Sequence, residues 1–267
     1  MFELFKAIIL GVIEGLTEFL PISSTGHLII VNQFVSFEKH FTNMFDIVIQ
    51  LGAVLSIVIL FKDKIIPFGQ NKSLTDKKRI YSLWGKTVIA FFPAMIIGAI
   101  LHDRIESELF NPIVVSLALI IGGVILLFVE RKKMKSKINS IWEMSYMTVF
   151  IIGIIQCLAM IPGTSRSAAT IIGAMLLGAS RITAAEFSFF LAIPTIGAAS
   201  AYSFMKNASL FSIPDIMILS VGFIVSFFTA WVVVGCFIKY ISQRDFKPFA
   251  YYRIVLGLIV LVYFLSR

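Results

Sequence analysis

The sequence predicts an all-α integral membrane protein: about six transmembrane helices plus two re-entrant helical hairpins, arranged as an inverted-topology repeat. Three observations carry that prediction. The 267 residues are 58% apolar with a mean hydropathy of +0.94, whereas soluble domains are about 45–50% apolar. Long runs lack charge. Two further hydrophobic stretches are interrupted at mid-length by proline and a hydroxyl-rich run.

The apolar runs are 43–61, 87–101, 113–129, 184–202, 216–238 and 254–265. Most approach the roughly 20 residues that cross a bilayer core. Inside lipid each backbone N–H and C=O must be paired within its own segment, so the runs are expected to be helices.

A net charge of +8 would suggest nucleic acid in a soluble protein; here position decides. Segment 62–86 carries Lys62, Lys64, Lys72, Lys77, Lys78, Arg79 and Lys86, and segment 130–142 carries Arg131, Lys132, Lys133, Lys135 and Lys137. Arg181 stands between hydrophobic stretches, and 239–253 adds Lys239, Arg244, Lys247 and Arg253. The positive-inside rule assigns these segments to the cytoplasm. Segments 102–112 and 206–215 hold only Arg104 and Lys206 as basic residues. The charge is a topology signal, and no nucleic-acid partner is expected. The N-terminal stretch lacks a basic leader beyond Lys6 and a small-x-small cleavage site, so it is expected to be retained. Cys157 and Cys236 read as packing thiols.

Residues 2–35 hold Glu14, Glu18, Pro21 and a Ser-Ser-Thr-Gly-His run; residues 143–180 hold Gln156, Pro162, Gly163 and a Thr-Ser-Arg-Ser run. Proline removes a backbone donor and clashes with the preceding turn, so a helix should stop near Pro21 and near Pro162. Broken backbone at membrane depth survives only where protein or a wet cavity satisfies it, which makes both stretches re-entrant hairpins. They also resemble each other: Gly11-Val-Ile-Glu-Gly-Leu-Thr-Glu-Phe-Leu-Pro21 beside Gly153-Ile-Ile-Gln-Cys-Leu-Ala-Met-Ile-Pro162. The repeat is a hairpin plus three spans, 1–130 and 141–267, within a single membrane domain. Three spans is an odd number, so the second copy enters from the opposite face. The first hairpin then dips in from outside, the second from the cytoplasm, and the site lies near the midplane where broken helix ends meet.

Glu14 and Glu18 are spaced i, i+4, on one helix face. Carboxylates at bilayer depth are costly, which favours function over a polar mouth or a structural ion pair. In Pro21-Ile-Ser-Ser-Thr-Gly-His27, proline ends one helix and Ser23 or Ser24 caps the next. Free N–H groups there make an anion site, and both serines lie within side-chain reach of His27. Alone, this would read as a cap and a histidine bonded to a carbonyl; beside paired glutamates it reads as a site. Pro162-Gly-Thr-Ser-Arg-Ser167 with Thr170 repeats the design. Arg166 is the only arginine expected at depth, and its planar fork suits phosphate oxygens or a carboxylate partner, Glu14 or Glu18. Ser165, Ser167 and Thr170 could add hydroxyl donors. A diphosphate bound here would be repelled by two ionised glutamates, so either one is protonated or a divalent cation, Mg²⁺ or Ca²⁺, intervenes. Weaker signals are Asp46, Gln50, Glu186 (facing Arg181) and Ser188. Gly11, Gly15, Gly173 and Gly178 read as packing positions, and His40, His102, Asp103, Glu106 and Glu108 as solvated loop. There is no Gly-rich nucleotide loop and no zinc-ligand spacing.

Glu14-Gly-Leu-Thr-Glu18-Phe-Leu-Pro-Ile-Ser-Ser-Thr-Gly-His27 and Pro162-Gly-Thr-Ser-Arg-Ser167-Ala-Ala-Thr170 are long motifs. Through them the chain resembles, over essentially its whole length, the undecaprenyl-diphosphate phosphatase family, also called the bacitracin-resistance family. The resemblance implies hydrolysis of undecaprenyl diphosphate to the monophosphate and phosphate at the outer side of a bacterial inner membrane. That reaction recycles the lipid carrier for the cell wall and confers bacitracin resistance. It further implies a divalent cation, Mg²⁺ or Ca²⁺, and a homodimer. Residue by residue, it makes Glu14 and Glu18 the acidic pair that binds metal or moves protons. It makes Ser24 and His27 the nucleophile candidates, singly or with His27 as base, and gives Arg166 the grip on the diphosphate, supported by Ser165, Ser167 and Thr170. Ser23 and Thr25 share the motif as substrate-binding candidates. Gln156 and Met160 stand where the first repeat has Glu14 and Glu18, so one acidic pair is expected. The rival reading is a polyprenyl-phosphate flippase or anion transporter, since inverted repeats with broken helices also build transporters.

Overall fold

The chain meets the demand for internally bonded backbone with helices throughout. The computed structural model describes residues 2–69, 72–132, 135–207 and 213–266. In order, the helices are α1 (Phe2–Thr17), α2 (Ser24–Val31), α3 (Lys39–Leu60), α4 (Lys62–Ile65), α5 (Leu74–Leu109) and α6 (Pro112–Arg131). They are followed by α7 (Tyr146–Gln156), α8 (Arg166–Leu176), α9 (Arg181–Asn207), α10 (Ile213–Ile241) and α11 (Lys247–Leu265). Among the described residues there is no strand, only an isolated bridge between Ile138 and Ala179. Among the described residues five stretches are long and apolar enough to cross a membrane: Leu74–Leu101, Pro112–Arg131, Arg181–Tyr202, Asp215–Ile241 and Lys247–Leu265. The sixth expected span falls in α3, whose apolar stretch, Met44–Leu60, is shorter.

Helix α5 departs from the sequence reading at both ends. Its 36 residues span about 54 Å at 1.5 Å per residue, well beyond the ~30 Å hydrocarbon layer, so charged turns extend the helix where polarity suggested loops. At its start Ser73 Oγ accepts from the Asp76 backbone N–H at 3.1 Å, and Asp76 Oδ2 accepts from the Ser73 backbone N–H at 3.2 Å. This reciprocal cap satisfies two orphan donors. The Ser73 hydroxyl, which lies 2.7 Å from Asp76 Oδ2, and then the Ser73 N–H hold the Asp76 carboxyl below its ordinary pKa. At its far end residues 102–109 are helical rather than loop. The side chains of His40, His102, Asp103 and Glu106 lie outside the described residues.

The breaks begin earlier than the prolines. Helix α1 ends at Thr17 and α7 at Gln156, the latter followed by a 3₁₀ turn, Cys157–Met160. Ile161 is extended, φ −74° and ψ 115°, as expected of a residue preceding proline.

Packing pairs distant parts of the chain: α6 lies along α11, α3 and α1 along α10, α5 along α7, while α9 touches α3, α5 and α8. Gly11 and Gly15 let α1 ride on α10, since a Cβ would stand 2.7 Å from Gly222 O and 2.6 Å from Ser226 O respectively. Phe19, immediately after Glu18, is buried and meets Phe189 of α9 edge-on at 5.3 Å. That wedge fixes the first break against the body of the bundle. The peripheral ion pairs differ from expectation. Glu186 pairs with Lys64 at 2.7 Å, and Arg181 pairs instead with buried Glu130, whose carboxylate also accepts from Phe246 N at 3.0 Å. Cys157 is half-buried and Cys236 exposed, both as free thiols.

Candidate active site at the two helix breaks

Each break ends in a serine that caps the following helix. Ser23 caps α2, its Oγ accepting from Gly26 N at 3.2 Å, and Ser165 caps α8, its Oγ accepting from Ala168 N at 3.2 Å. Both have positive φ, 72° and 71°, the only non-glycine cases among the described residues. Such backbone costs on the order of 1–3 kcal/mol and persists only where surroundings over-determine it. Gly163, at φ 90°, has its missing Cβ position 2.4 Å from Val115 O, so both conformation and space exclude a side chain there.

With Ser23 as cap, Ser24 is free to act elsewhere. Its Oγ donates to Glu18 Oε2. Glu18 Oε1 accepts from Arg166 Nη2 at 3.2 Å, a largely buried ion pair. Arg166 Nη1 donates to Ser188 O at 2.8 Å, and its guanidinium stands 5.9 Å from the Phe19 ring centroid. Arg166 Nε is buried without a partner. One carboxylate therefore joins the first residue of α2 to the first residue of α8.

The hydroxyls of the second motif are engaged within the protein. Ser167 Oγ donates to Leu20 O at 2.8 Å, crossing from one hairpin to the other, and lies 3.0 Å from Ser165 Oγ. Thr170 Oγ1 lies 2.7 Å from Ser188 Oγ and 2.9 Å from Arg166 O. These residues build the frame around Arg166. Thr25 is half-buried on α2 beside Ser24.

Both ring nitrogens of His27 are engaged by groups other than Ser24. Its Nδ1 lies 2.7 Å from Ser23 O; a carbonyl only accepts, so Nδ1 carries the hydrogen. In the neutral ring Nε2 is then an acceptor, and it accepts a hydrogen bond from the Tyr252 hydroxyl at 2.7 Å. The two rings are stacked, 5.6 Å between centroids and 1° apart. Among the described residues no hydrogen bond joins His27 to Ser24. Tyr252, from α11, carries no motif signal and was not a candidate in the sequence.

Glu14 is fully buried, and neither of its carboxylate oxygens has a hydrogen-bond partner. It lies within electrostatic range of Glu18 and of Asp46, whose Oδ2 accepts from Asn32 Nδ2 at 2.8 Å. A buried, orphaned carboxylate is the state that a hard cation would satisfy. Among the described residues no cluster of three or more His, Cys, Asp or Glu side chains forms a ligand set. The Glu14–Glu18 pair could therefore hold a Mg²⁺- or Ca²⁺-type ion only with phosphate or water oxygens completing the shell, a habit of Mg²⁺ in particular. In the second hairpin Gln156 is likewise buried, and its amide too is without partners.

Arg166 is not the only arginine at depth. Arg253, grouped by sequence with cytoplasmic charges, is fully buried. Its burial overturns that grouping: helix α11 begins at Lys247, so Arg253 lies within the helix, packed against α6 and the two breaks.

The profile of a family described as bacitracin resistance protein BacA matches residues 7–259. The chain is 46% identical over 266 residues to undecaprenyl-diphosphatase 1 of Clostridioides difficile (strain 630), covering 99% of this chain and 97% of that one. It is 49% identical over 259 residues to the undecaprenyl-diphosphatase of Caldanaerobacter subterraneus subsp. tengcongensis, covering 97% and 95%. With the undecaprenyl-diphosphatase of Limosilactobacillus fermentum it shares 45% over 271 residues, covering 99% and 98%.

Proposed function

The chain belongs to the bacitracin resistance protein BacA family, and from that premise we propose how its own residues carry the family's chemistry. The enzyme hydrolyses undecaprenyl diphosphate to undecaprenyl phosphate and inorganic phosphate, recycling the lipid carrier for cell-wall synthesis. Hydrolysis is favoured over the transport alternative by the names of relatives that match along nearly the whole chain.

The observation that carries the mechanism is the hydrogen bond from Ser24 Oγ to Glu18. A serine hydroxyl is a weak nucleophile until a neighbouring base takes its proton. In our reading Ser24 Oγ attacks the terminal phosphorus and its proton passes to Glu18. The bond from that phosphorus to the bridging oxygen breaks, releasing undecaprenyl phosphate. Water then attacks the phosphoserine, and inorganic phosphate departs as Ser24 regains a proton. Arg166 orients Glu18 through Nη2 and has Nε left for a phosphate oxygen. The N-termini of α2 and α8 supply free N–H groups to the anion. His27, bonded to Ser23 O and Tyr252, fixes the first turn of α2 rather than deprotonating Ser24. A divalent cation held by Glu14 and Glu18 would neutralise charge on the phosphoryl oxygens.

The finer setting belongs to the same proposal. The exchange of packing partners, α1 with α10 and α5 with α7, supports two inverted units. So do the two serine caps of matching φ. The basic segments support an orientation with the site opening to the outer face of the inner membrane, and a homodimer is the expected assembly. The test is phosphate release from undecaprenyl diphosphate by the purified protein, with Mg²⁺ or Ca²⁺ and with chelator. Release that S24A abolishes supports the mechanism; wild-type release by a folded S24A protein overturns it.

A further inference from the structure

The side-chain hydrogen bonds of Arg253 all go to backbone carbonyls, five in number. Nη1 donates to Pro21 O at 3.2 Å; Nη2 lies 2.9 Å from Thr164 O, 3.2 Å from Gly163 O and 3.2 Å from Ala118 O; Nε reaches Leu119 O at 3.4 Å. Three separate elements converge on one guanidinium: the first break, the second break and α6. The carbonyls it grips in the breaks belong to the residues leading into the strained caps. Pro21 is two before Ser23, and Gly163 and Thr164 directly precede Ser165. Room has been left for it, since a Cβ on Gly122 would stand 2.2 Å from Nη2.

Charge is the second unusual feature. Among the described residues no carboxylate lies within ion-pair distance of Arg253. A buried cation without a counter-ion is costly, and carbonyl dipoles offset only part of that cost. Arg166, by contrast, already spends its charge on Glu18. A diphosphate entering between two glutamates therefore finds its uncommitted protein cation in Arg253, one layer behind the helix ends. Only arginine has a planar fork able to serve so many acceptors at once.

We propose that Arg253 is the positioning residue of this active site. It fastens the two breaks together so that Ser24 and Arg166, the first residues of α2 and α8, meet on Glu18, and its unpaired charge favours the anion held between them. It touches no reacting atom. The inference rests on the phosphatase reading above and goes beyond it by assigning a role to a residue outside both motifs.

The experiment compares full-length wild type, R253K, R253Q and G122A in detergent. It measures phosphate release from undecaprenyl diphosphate, inhibition by inorganic phosphate, and thermal unfolding. R253K keeps the charge but cannot span three elements, so kcat should fall about 100-fold, the scale of a 1 Å misplacement, with KM and phosphate inhibition near wild type. R253Q loses the charge as well, so its KM and phosphate inhibition constant should also rise about tenfold. G122A crowds Nη2 without removing it and should lower kcat; it decides the matter if neither Arg253 variant folds. Folded R253Q with wild-type kcat and KM overturns the proposal. So does a loss of activity that merely tracks the loss of folded protein while phosphate inhibition stays unchanged. In the event of failed variants and a wild-type-like G122A, the proposal is likewise overturned. No release from folded wild type would instead bring down the phosphatase reading itself, and this inference with it.

Discussion

Ser24 and Glu18 are joined across the first break: the hydroxyl of one donates to the carboxylate of the other, six residues earlier in the chain. Helix α1 ends at Thr17, one residue before Glu18, and the turn that follows is what brings the two together. Removing the hydroxyl in S24A should lower phosphate release by about 10³-fold or more, and E18Q, which cannot accept the proton, should do comparable damage. Both are read from initial rates at saturating undecaprenyl diphosphate. A trapped phosphoserine in wild type, absent in S24A, would identify the attacked bond directly.

Arg166 has two of its three nitrogens engaged and the third, Nε, without a partner. R166A should cost about 10³-fold in kcat/KM, on the scale of other arginines that stabilise phosphoryl transfer. R166K keeps the charge but not the fork and should recover little of it. Since R166A also leaves Glu18 buried and unpaired, its thermal stability should fall by roughly 3–5 kcal/mol. R166M, measured alongside, reports whether the rate loss follows stability.

The His27–Tyr252 contact predicts an asymmetry between the two nucleophile candidates. Y252F removes one hydrogen bond, worth about 1 kcal/mol, and should slow turnover several-fold. H27A should slow it further yet leave detectable phosphorylation of Ser24, because His27 does not touch that hydroxyl. An H27A enzyme as inert as S24A would return His27 to the chemistry.

Glu14 is the residue whose environment most needs a ligand. Chelation should abolish phosphate release, and Mg²⁺ or Ca²⁺ should restore it. E14Q should raise the metal concentration giving half-maximal activity by about tenfold or more, with a smaller effect on KM for the lipid. Full activity of metal-stripped protein would remove the cation from the mechanism.

Far from the site, the Ser73–Asp76 cap gives a pH-dependent helix end. The Asp76 carboxyl is held below its ordinary pKa by Ser73. Its contribution is therefore present above the normal carboxylate range and is lost as pH falls through the lowered pKa. Amide protection factors over residues 73–77, corrected for the intrinsic pH dependence of exchange, should fall on acidification in wild type and be flat with pH in D76N.

Much of this was legible in the sequence because lipid leaves a chain few options. Apolar runs must be helices, and Pro21 and Pro162 inside such runs must sit at breaks. Glu14, Glu18, Ser24 and Arg166 stood out because charge or hydroxyl density at depth has few structural uses. What stayed hidden depended on direction. Arg253 follows Lys239, Arg244 and Lys247 in a basic segment, and nothing in a string of residues tells a charge facing water from one facing carbonyls. Tyr252 carries no motif, and Ser188 gave only a weak signal; they matter because α11 and α9 present them to the breaks. The far end of α5 was read as loop since polarity was taken for the end of a helix, when it marked only the end of the lipid.

The residues that complete the constellation lie on α11, after every other described element in the chain. Until that helix is made, the carbonyls of Pro21, Gly163 and Thr164 lack their shared donor and His27 lacks its hydroxyl partner. As membrane helices emerge from the ribosome in sequence order, the motifs are synthesised long before they can be assembled. The nascent chain thus carries the proposed catalytic groups unarmed until α11 inserts beside α6.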